Sequence, residues 1–164
     1  MLDTLDYNHY GTDFAPVYNR YFNGWIGTFA PNLASYLKNF VNAGATVIDL
    51  CCGTGETIVA LRGAGYSVVG IDRSAAMLEI ARGKNSADML NGAVHLLQAD
   101  ARSFESPVSA SACVCIDGCL NHLETVADMR QCFSQVNAAL LPGGIFIFDL
   151  LEASHFEGWL AGSF

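Results

Sequence analysis

Val47-Ile48-Asp49-Leu50-Cys51-Cys52-Gly53-Thr54-Gly55-Glu56 is the stretch that decides the fold. The apolar, β-branched run from Thr46 to Cys51 reads as a short buried strand. Gly53 and Gly55 follow it and let the backbone turn tightly, with no Cβ between chain and ligand. Residues 55–63 then read as a helix whose first N–H groups point beyond the strand end. A dinucleotide fingerprint would carry a third glycine at 58, where this chain has Ile58. Asp49 and Glu56 flank the turn, which disfavours a pyrophosphate and suits a cationic or zwitterionic ligand. Two glycines after a strand also fit a plain tight turn, so the flanking sequence has to decide.

Downstream the pattern repeats. Ser67–Asp72 is a second apolar strand, and Ser74 caps a helix through Arg82 with Met77, Leu78 and Ala81 facing inward. Strands follow at 94–99, 112–116 and 145–150, with a long helix over 122–140 that Pro142-Gly143-Gly144 breaks. Strands alternating with helices predict a doubly wound α/β domain, a Rossmann-like sheet of about five parallel strands covered on both faces. Upstream, residues 1–45 are aromatic and polar and read as an N-terminal helical lid or cap on a core formed by 46–164. Phe14, Val17, Tyr18 and Tyr21 share a helical face after Asp13. Pro31 suits the first turn of a second helix, with Leu33, Leu37, Phe40 and Val41 on one side and Gly44 as its end.

The chain has 164 residues and a formal net charge of −8, and 15% of its residues are charged. An average soluble domain carries roughly 25%. Global disorder is excluded by the 52% hydrophobic content. Apolar runs such as Gly144–Phe148 fall far short of the about 20 residues a bilayer span needs. The eight basic residues are scattered, which argues against a nucleic-acid partner. The opening residues show no secretory leader, so the expectation is a cytoplasmic protein. The six cysteines, at 51, 52, 113, 115, 119 and 132, show no zinc-type spacing and read as reduced thiols serving as small hydrophobes. No metal is expected.

In a sheet of this kind ligands bind beyond the carboxyl ends of the strands. Acids close four of the five strands, as Asp72, Asp100, Asp117 and Asp149. Asp72, after the second strand, is placed to accept two ribose hydroxyls; its alternative is a helix cap. Asp100 can accept from an adenine amino group, or cap its own turn.

These segments resemble class I S-adenosylmethionine-dependent methyltransferases of the small-molecule type. The resemblance runs from about Thr46 to Leu150. It rests on Asp49–Glu56, Gly70-Ile-Asp-Arg-Ser74, Gln98-Ala-Asp-Ala-Arg102 and Leu141-Pro-Gly-Gly-Ile-Phe-Ile-Phe-Asp149. It implies that Cys51, Gly53 and Gly55 lie against the methionine part of the cofactor, and that Asp49 supports the turn. It further implies that Asp72 holds the ribose and Asp100 the adenine amine. Arg73, Met77 and Ala101 would pack beside these groups, and Asp117 would lie under the sulfonium. Met77 fits plain core equally well. The segment after the fourth strand lacks the Pro-Pro motif of family members that methylate nucleic-acid bases. His122 is the candidate general base, or a residue that fixes the loop. His9 and His155 are weaker candidates.

Small-molecule members often carry tyrosines that close over the cofactor. Tyr7, Tyr10, Tyr18 and Tyr21 are placed to do so, although Tyr18 and Tyr21 fit an aromatic stripe on the sheet better. The implied reaction transfers a methyl group from S-adenosylmethionine to a small molecule, leaving S-adenosylhomocysteine. The alternatives are a non-catalytic cofactor-binding subunit and a nicotinamide-dependent oxidoreductase. The family's sixth and seventh strands are missing before Phe164, so the expectation is a fragment, with a homodimer through the open edge of the fifth strand or a natural short form without activity as the alternatives.

Overall fold

The structure, a computed structural model, describes residues 10–152. In chain order the elements are α1 (Phe14–Tyr21), α2 (Gly24–Leu37), β1 (Thr46–Leu50), α3 (Glu56–Gly63), β2 (Ser67–Asp72) and α4 (Ala75–Lys84). Then come α5 (Ser86–Leu90), β3 (Val94–Gln98), β4 (Ala110–Cys115), a 3-10 turn (Cys119–His122), α6 (Val126–Ala139) and β5 (Leu140–Phe148). The five strands pair in the order β3-β2-β1-β4-β5, every pair parallel. The chain winds outward from β1 to β3 and then crosses back to β4. Strand order therefore reverses between β1 and β4, and a crevice opens at their carboxyl ends.

Neighbouring residues along each strand serve opposite faces. Val47, Val68 and Val114 bury into one core with Ile26, Ala30, Leu33, Ala34 and Leu37 of α2 and with Ile58 and Leu61 of α3. Ile48, Val69 and Cys113 bury into the other, with Phe104 and with Cys132 and Val136 of α6. Because both faces are covered, the strands read as continuous apolar runs rather than alternating ones. The N-terminal segment thus shares a core with the sheet.

Several expected boundaries move. Pro31 sits inside α2 rather than in its first turn. The helix runs through it because five buried apolar side chains outweigh one missing N–H. It ends at Leu37, so Val41 still packs inward while Phe40 is 55% exposed and rests on Tyr36. The helix expected over 122–140 is shorter. Thr125 and Asp128 form a reciprocal capping box that starts α6 at Val126, and the chain before it makes a separate 3-10 turn. Pro142-Gly143-Gly144 lies inside β5. Ala110 pairs with Leu140 and Ala112 with Ile145, so the extra residues bulge out, with Gly143 left-handed at φ 81°. The short α5 was not expected. Its five residues contain no buried side chain and carry no periodic signal.

Candidate active site

The reversal between β1 and β4 brings two left-handed turns face to face. After β1, Cys51 has φ 60°, Gly53 φ 51° and Gly55 φ 87°; after β4, Asp117 has φ 74° and Gly118 φ 64°. Positive φ is uncommon for residues with a Cβ, and Cys51 and Asp117 both adopt it here. The second turn is fastened from the residue that follows β5: Asp149 accepts the N–H of Asp117 through Oδ2 at 3.0 Å and that of Gly118 through Oδ1 at 2.8 Å.

At the end of β2, Asp72 receives the Gly53 N–H on Oδ2 at 2.9 Å and the Ser74 N–H on Oδ1 at 2.8 Å. Ser74 itself caps α4 by accepting the Met77 N–H at 3.1 Å. The cap therefore belongs to Ser74, and Asp72 braces the glycine turn. Each carboxylate oxygen keeps a lone pair for a ligand. Burial pushes the Asp72 carboxyl up to about 6, against the pull of the two backbone donors.

Asp100, after β3, is engaged differently. Arg102 forks onto it, with Nε at 2.8 Å from Oδ1 and a terminal nitrogen at 2.7 Å from Oδ2, and then reaches Asp128 at 2.9 Å. The guanidinium holds the Asp100 carboxyl below its ordinary value. An amine on a ligand would share Asp100 with Arg102.

Helices α1 and α2 close the crevice from above. Tyr18 donates its hydroxyl to Asp117 Oδ2 at 2.7 Å, and the Trp25 indole donates to Oδ1 at 3.0 Å. Burial, followed by this bond to a carboxylate, pushes the Tyr18 phenol upward. Tyr10 lies 3.3 Å from His122 Nε2 and stacks edge-on against both His122 and Tyr18. Its backbone carbonyl accepts the Ser74 hydroxyl at 2.6 Å. At the other end of the glycine turn, Asn23 donates to Thr54 Oγ1 at 2.8 Å and Glu56 at 2.7 Å, and Lys84 pairs with Glu56. Glu56 is thereby neutralised inside the protein instead of facing a ligand.

These groups enclose a cleft of about 220 Å³. It brings together Cys51, Gly53, Asp72, Arg73, Met77, Asp100, Ala101, Asp117, His122, Tyr10 and Tyr18. Three expected site residues lie elsewhere. Asp49 is buried in the sheet, with Oδ2 lacking a hydrogen-bond partner among the described residues, and burial raises its carboxyl well above the ordinary range. Gly55 faces Ala81 and Asn85 of the helix-side packing rather than the cleft. Tyr21 is 67% exposed beneath the Arg20 guanidinium, because it falls on the outer side of α1. Tyr18, for which packing on the sheet seemed the better role, is in the cleft wall. Tyr7, His9 and His155 lie outside the described residues. Trp25, Leu120, Leu123, Glu124 and Arg102 were not anticipated. Of these only Arg102, two residues past Asp100, carried a local signal.

Residues 47–144, more than half of the chain, match the model of the methyltransferase domain family. The chain belongs to that family. As a methyltransferase-domain protein it is 31% identical over 125 residues to a demethylmenaquinone methyltransferase of Lactobacillus johnsonii, covering 74% of this chain and 48% of that one. It is 28% identical over 120 residues to a dTDP-3-amino-3,6-dideoxy-alpha-D-glucopyranose N,N-dimethyltransferase of Streptomyces fradiae, covering 73% and 45%. Among solved structures it superposes on S-adenosylmethionine-bound CalS10, an amino pentose methyltransferase from Micromonospora echinaspora. The TM-score is 0.71 at 28% identity, over 83% of this chain and 56% of that one. The chain spans about half the length of the relatives it matches. No helix among the described residues is long and apolar enough to cross a membrane.

Proposed function

We propose that this chain is the donor-binding part of an S-adenosylmethionine-dependent methyltransferase that acts on a small molecule. The observation that carries the reading is Asp72, fixed by the Gly53 and Ser74 N–H groups with its outward lone pairs on the cleft. A carboxylate held in this way accepts two vicinal hydroxyls of a ribose. The residues fit the cofactor. A Cβ at Gly53 would project into open space, which is the cleft itself. The lining acids Asp72, Asp100, Asp117 and Glu124 suit a ligand that carries positive charge.

Bound there, the cofactor supplies an electrophilic methyl group on a sulfonium. What the chain contributes is alignment, since a methyl transfer to an existing nucleophile gains most from holding the reacting atoms in line. Gly53 lets the backbone approach. Asp72 fixes the sugar end, while Met77 and Ala101 flank the base end beside Asp100. Tyr10 and Tyr18 cover the cleft and exclude water. His122 Nε2, beside Tyr10, is the group placed to take a proton from an acceptor. The aminosugar methyltransferases among the relatives support a small-molecule acceptor.

Calorimetric titration with S-adenosylmethionine, S-adenosylhomocysteine and NAD tests the reading. Saturable binding of the first two, with none of NAD, is expected. Binding of NAD alone would overturn it, as would no binding of any of the three.

A further inference from the structure

Three of the six cysteines come together where the two left-handed turns meet. Cys51 follows β1, Cys115 ends β4 and Cys119 opens the 3-10 turn, and their three Sγ atoms lie within 4.8 Å of one another. All three are free thiols. Sulfurs bound to one ion at about 2.3 Å sit roughly 4 Å apart around it. The thiols therefore need little more than side-chain adjustment to share an ion. Neither a carboxylate nor an imidazole belongs to the group. An all-sulfur donor set selects soft ions of filled d shell over magnesium, calcium or manganese.

Access comes through the cleft, because Cys51 and Cys119 are part of its wall while Cys115 is buried behind them. Cys51 also holds a left-handed backbone, φ 60°, that a glycine would adopt freely. The Cys119 thiol lies against the carbonyls of Ile116 at 3.1 Å and Cys51 at 3.8 Å and shares hydrogen bonds with the Cys51 and Cys115 thiols.

We propose that Cys51, Cys115 and Cys119 form a three-sulfur site for a soft metal ion, and that an ion seated there occludes the end of the cleft at the β1 turn. Three metal–sulfur bonds form, the thiols release their protons to solvent, and no atom changes oxidation state. The ion acts as an inhibitor that competes for the cleft and takes no part in the methyl transfer. The site stands on the residues alone; the competition rests on the proposed donor-binding reading.

Cadmium(II) is the probe. The reduced, metal-free chain is titrated anaerobically while thiolate-to-metal charge-transfer absorption is followed, and X-ray absorption counts the sulfur neighbours. One ion per chain with three sulfurs is expected. Cys115→Ser should lose that stoichiometry, whereas Cys132→Ser, outside the cluster, should keep it. Fewer than three sulfurs on the wild-type chain would overturn the site even if a variant failed to fold. One bound cadmium should also weaken S-adenosylhomocysteine binding by about tenfold or more in the wild type, and leave Cys115→Ser unaffected. Unchanged binding would overturn the occlusion. If the metal-free chain does not bind S-adenosylhomocysteine at all, the donor-binding reading fails, and the sulfur count still decides the metal site.

Discussion

Tyr18 and Asp117 stand 99 residues apart in the sequence and meet at 2.7 Å, phenol donating to carboxylate. The contact ties the first helix to the turn after β4, across the mouth of the cleft. It also makes Asp117, a left-handed residue, a junction that takes Tyr18 and Trp25 on its side chain and Asp149 on its N–H. Helix α1, the start of α2 and the turn after β4 are thus one hydrogen-bonded unit.

Tyr18→Phe should lower stability by about 1.5–3 kcal/mol, the range for a hydrogen bond to a charged group. Trp25 remains on Asp117, so the fold should survive with α1 loosened. Urea denaturation gives the magnitude, and amide exchange over residues 14–21 gives the location. An unchanged midpoint would show that the bond is not formed in solution.

Ligand binding should weaken on acidification through Asp72. Its carboxyl is pushed up to about 6 in the folded chain, against an ordinary 3.8. A hydroxyl-accepting role needs the ionised form, so the dissociation constant for S-adenosylhomocysteine should rise about tenfold one pH unit below that value. Asp72→Asn should bind weakly and without this inflection. The sign for stability is the opposite. The folded state holds the proton more tightly than the unfolded chain, so this group's stabilising contribution is full below about pH 4 and lost as pH rises through about 6. Isothermal titrations and urea melts at several pH values separate the two effects.

The two turn glycines should respond differently to alanine. At Gly55, φ is 87° and a Cβ would stand 3.0 Å from Asn85 Nδ2 and 3.1 Å from Ala81 Cβ. Gly55→Ala should therefore cost about 1–3 kcal/mol, from left-handed strain and crowding against α4. At Gly53 nothing lies within 4 Å, so the same change adds only the left-handed penalty of about 1 kcal/mol and places a methyl in the cleft. Its main effect should be on ligand affinity. Thermal melts with and without ligand distinguish the two variants.

Gly70 on β2 is a packing glycine. A Cβ there would lie 2.6 Å from Ile58 Cδ1 and 2.8 Å from Leu96 Cδ2. Gly70→Ala should destabilise by about 1–3 kcal/mol. Ile58→Val removes the atom it strikes first, so the double variant should lose less than the sum of the single changes. Additive losses would mean that the sheet shifts instead of the side chain.

The sequence by itself determined the alternation of strands and helices, the glycine turn after β1 and the acids at the strand ends. Those signals are local: apolar runs of strand length, glycine at positive φ and a serine cap each act within a few residues of themselves. It could not separate the two roles of Asp72, because the Gly53 N–H that it accepts comes from a neighbouring strand's turn. Nor could it show that Asp100 is held by Arg102 and Asp128, that Glu56 is neutralised by Lys84, or that Tyr18 faces the cleft while Tyr21, three residues on, faces solvent. The bulged start of β5 was equally hidden, since Pro142-Gly143-Gly144 reads as a helix stop until Ala110 and Ala112 supply its partners. The grouping of Cys51, Cys115 and Cys119 followed only from strand order. Parallel pairing of β1 with β4, with Asp49 opposite Val114, brings the turn after β1 next to the end of β4, which linear spacing cannot reveal. Tertiary structure decides wherever a group's partner arrives from another strand, because the energy of a buried polar contact depends on that partner and not on its neighbours in the chain.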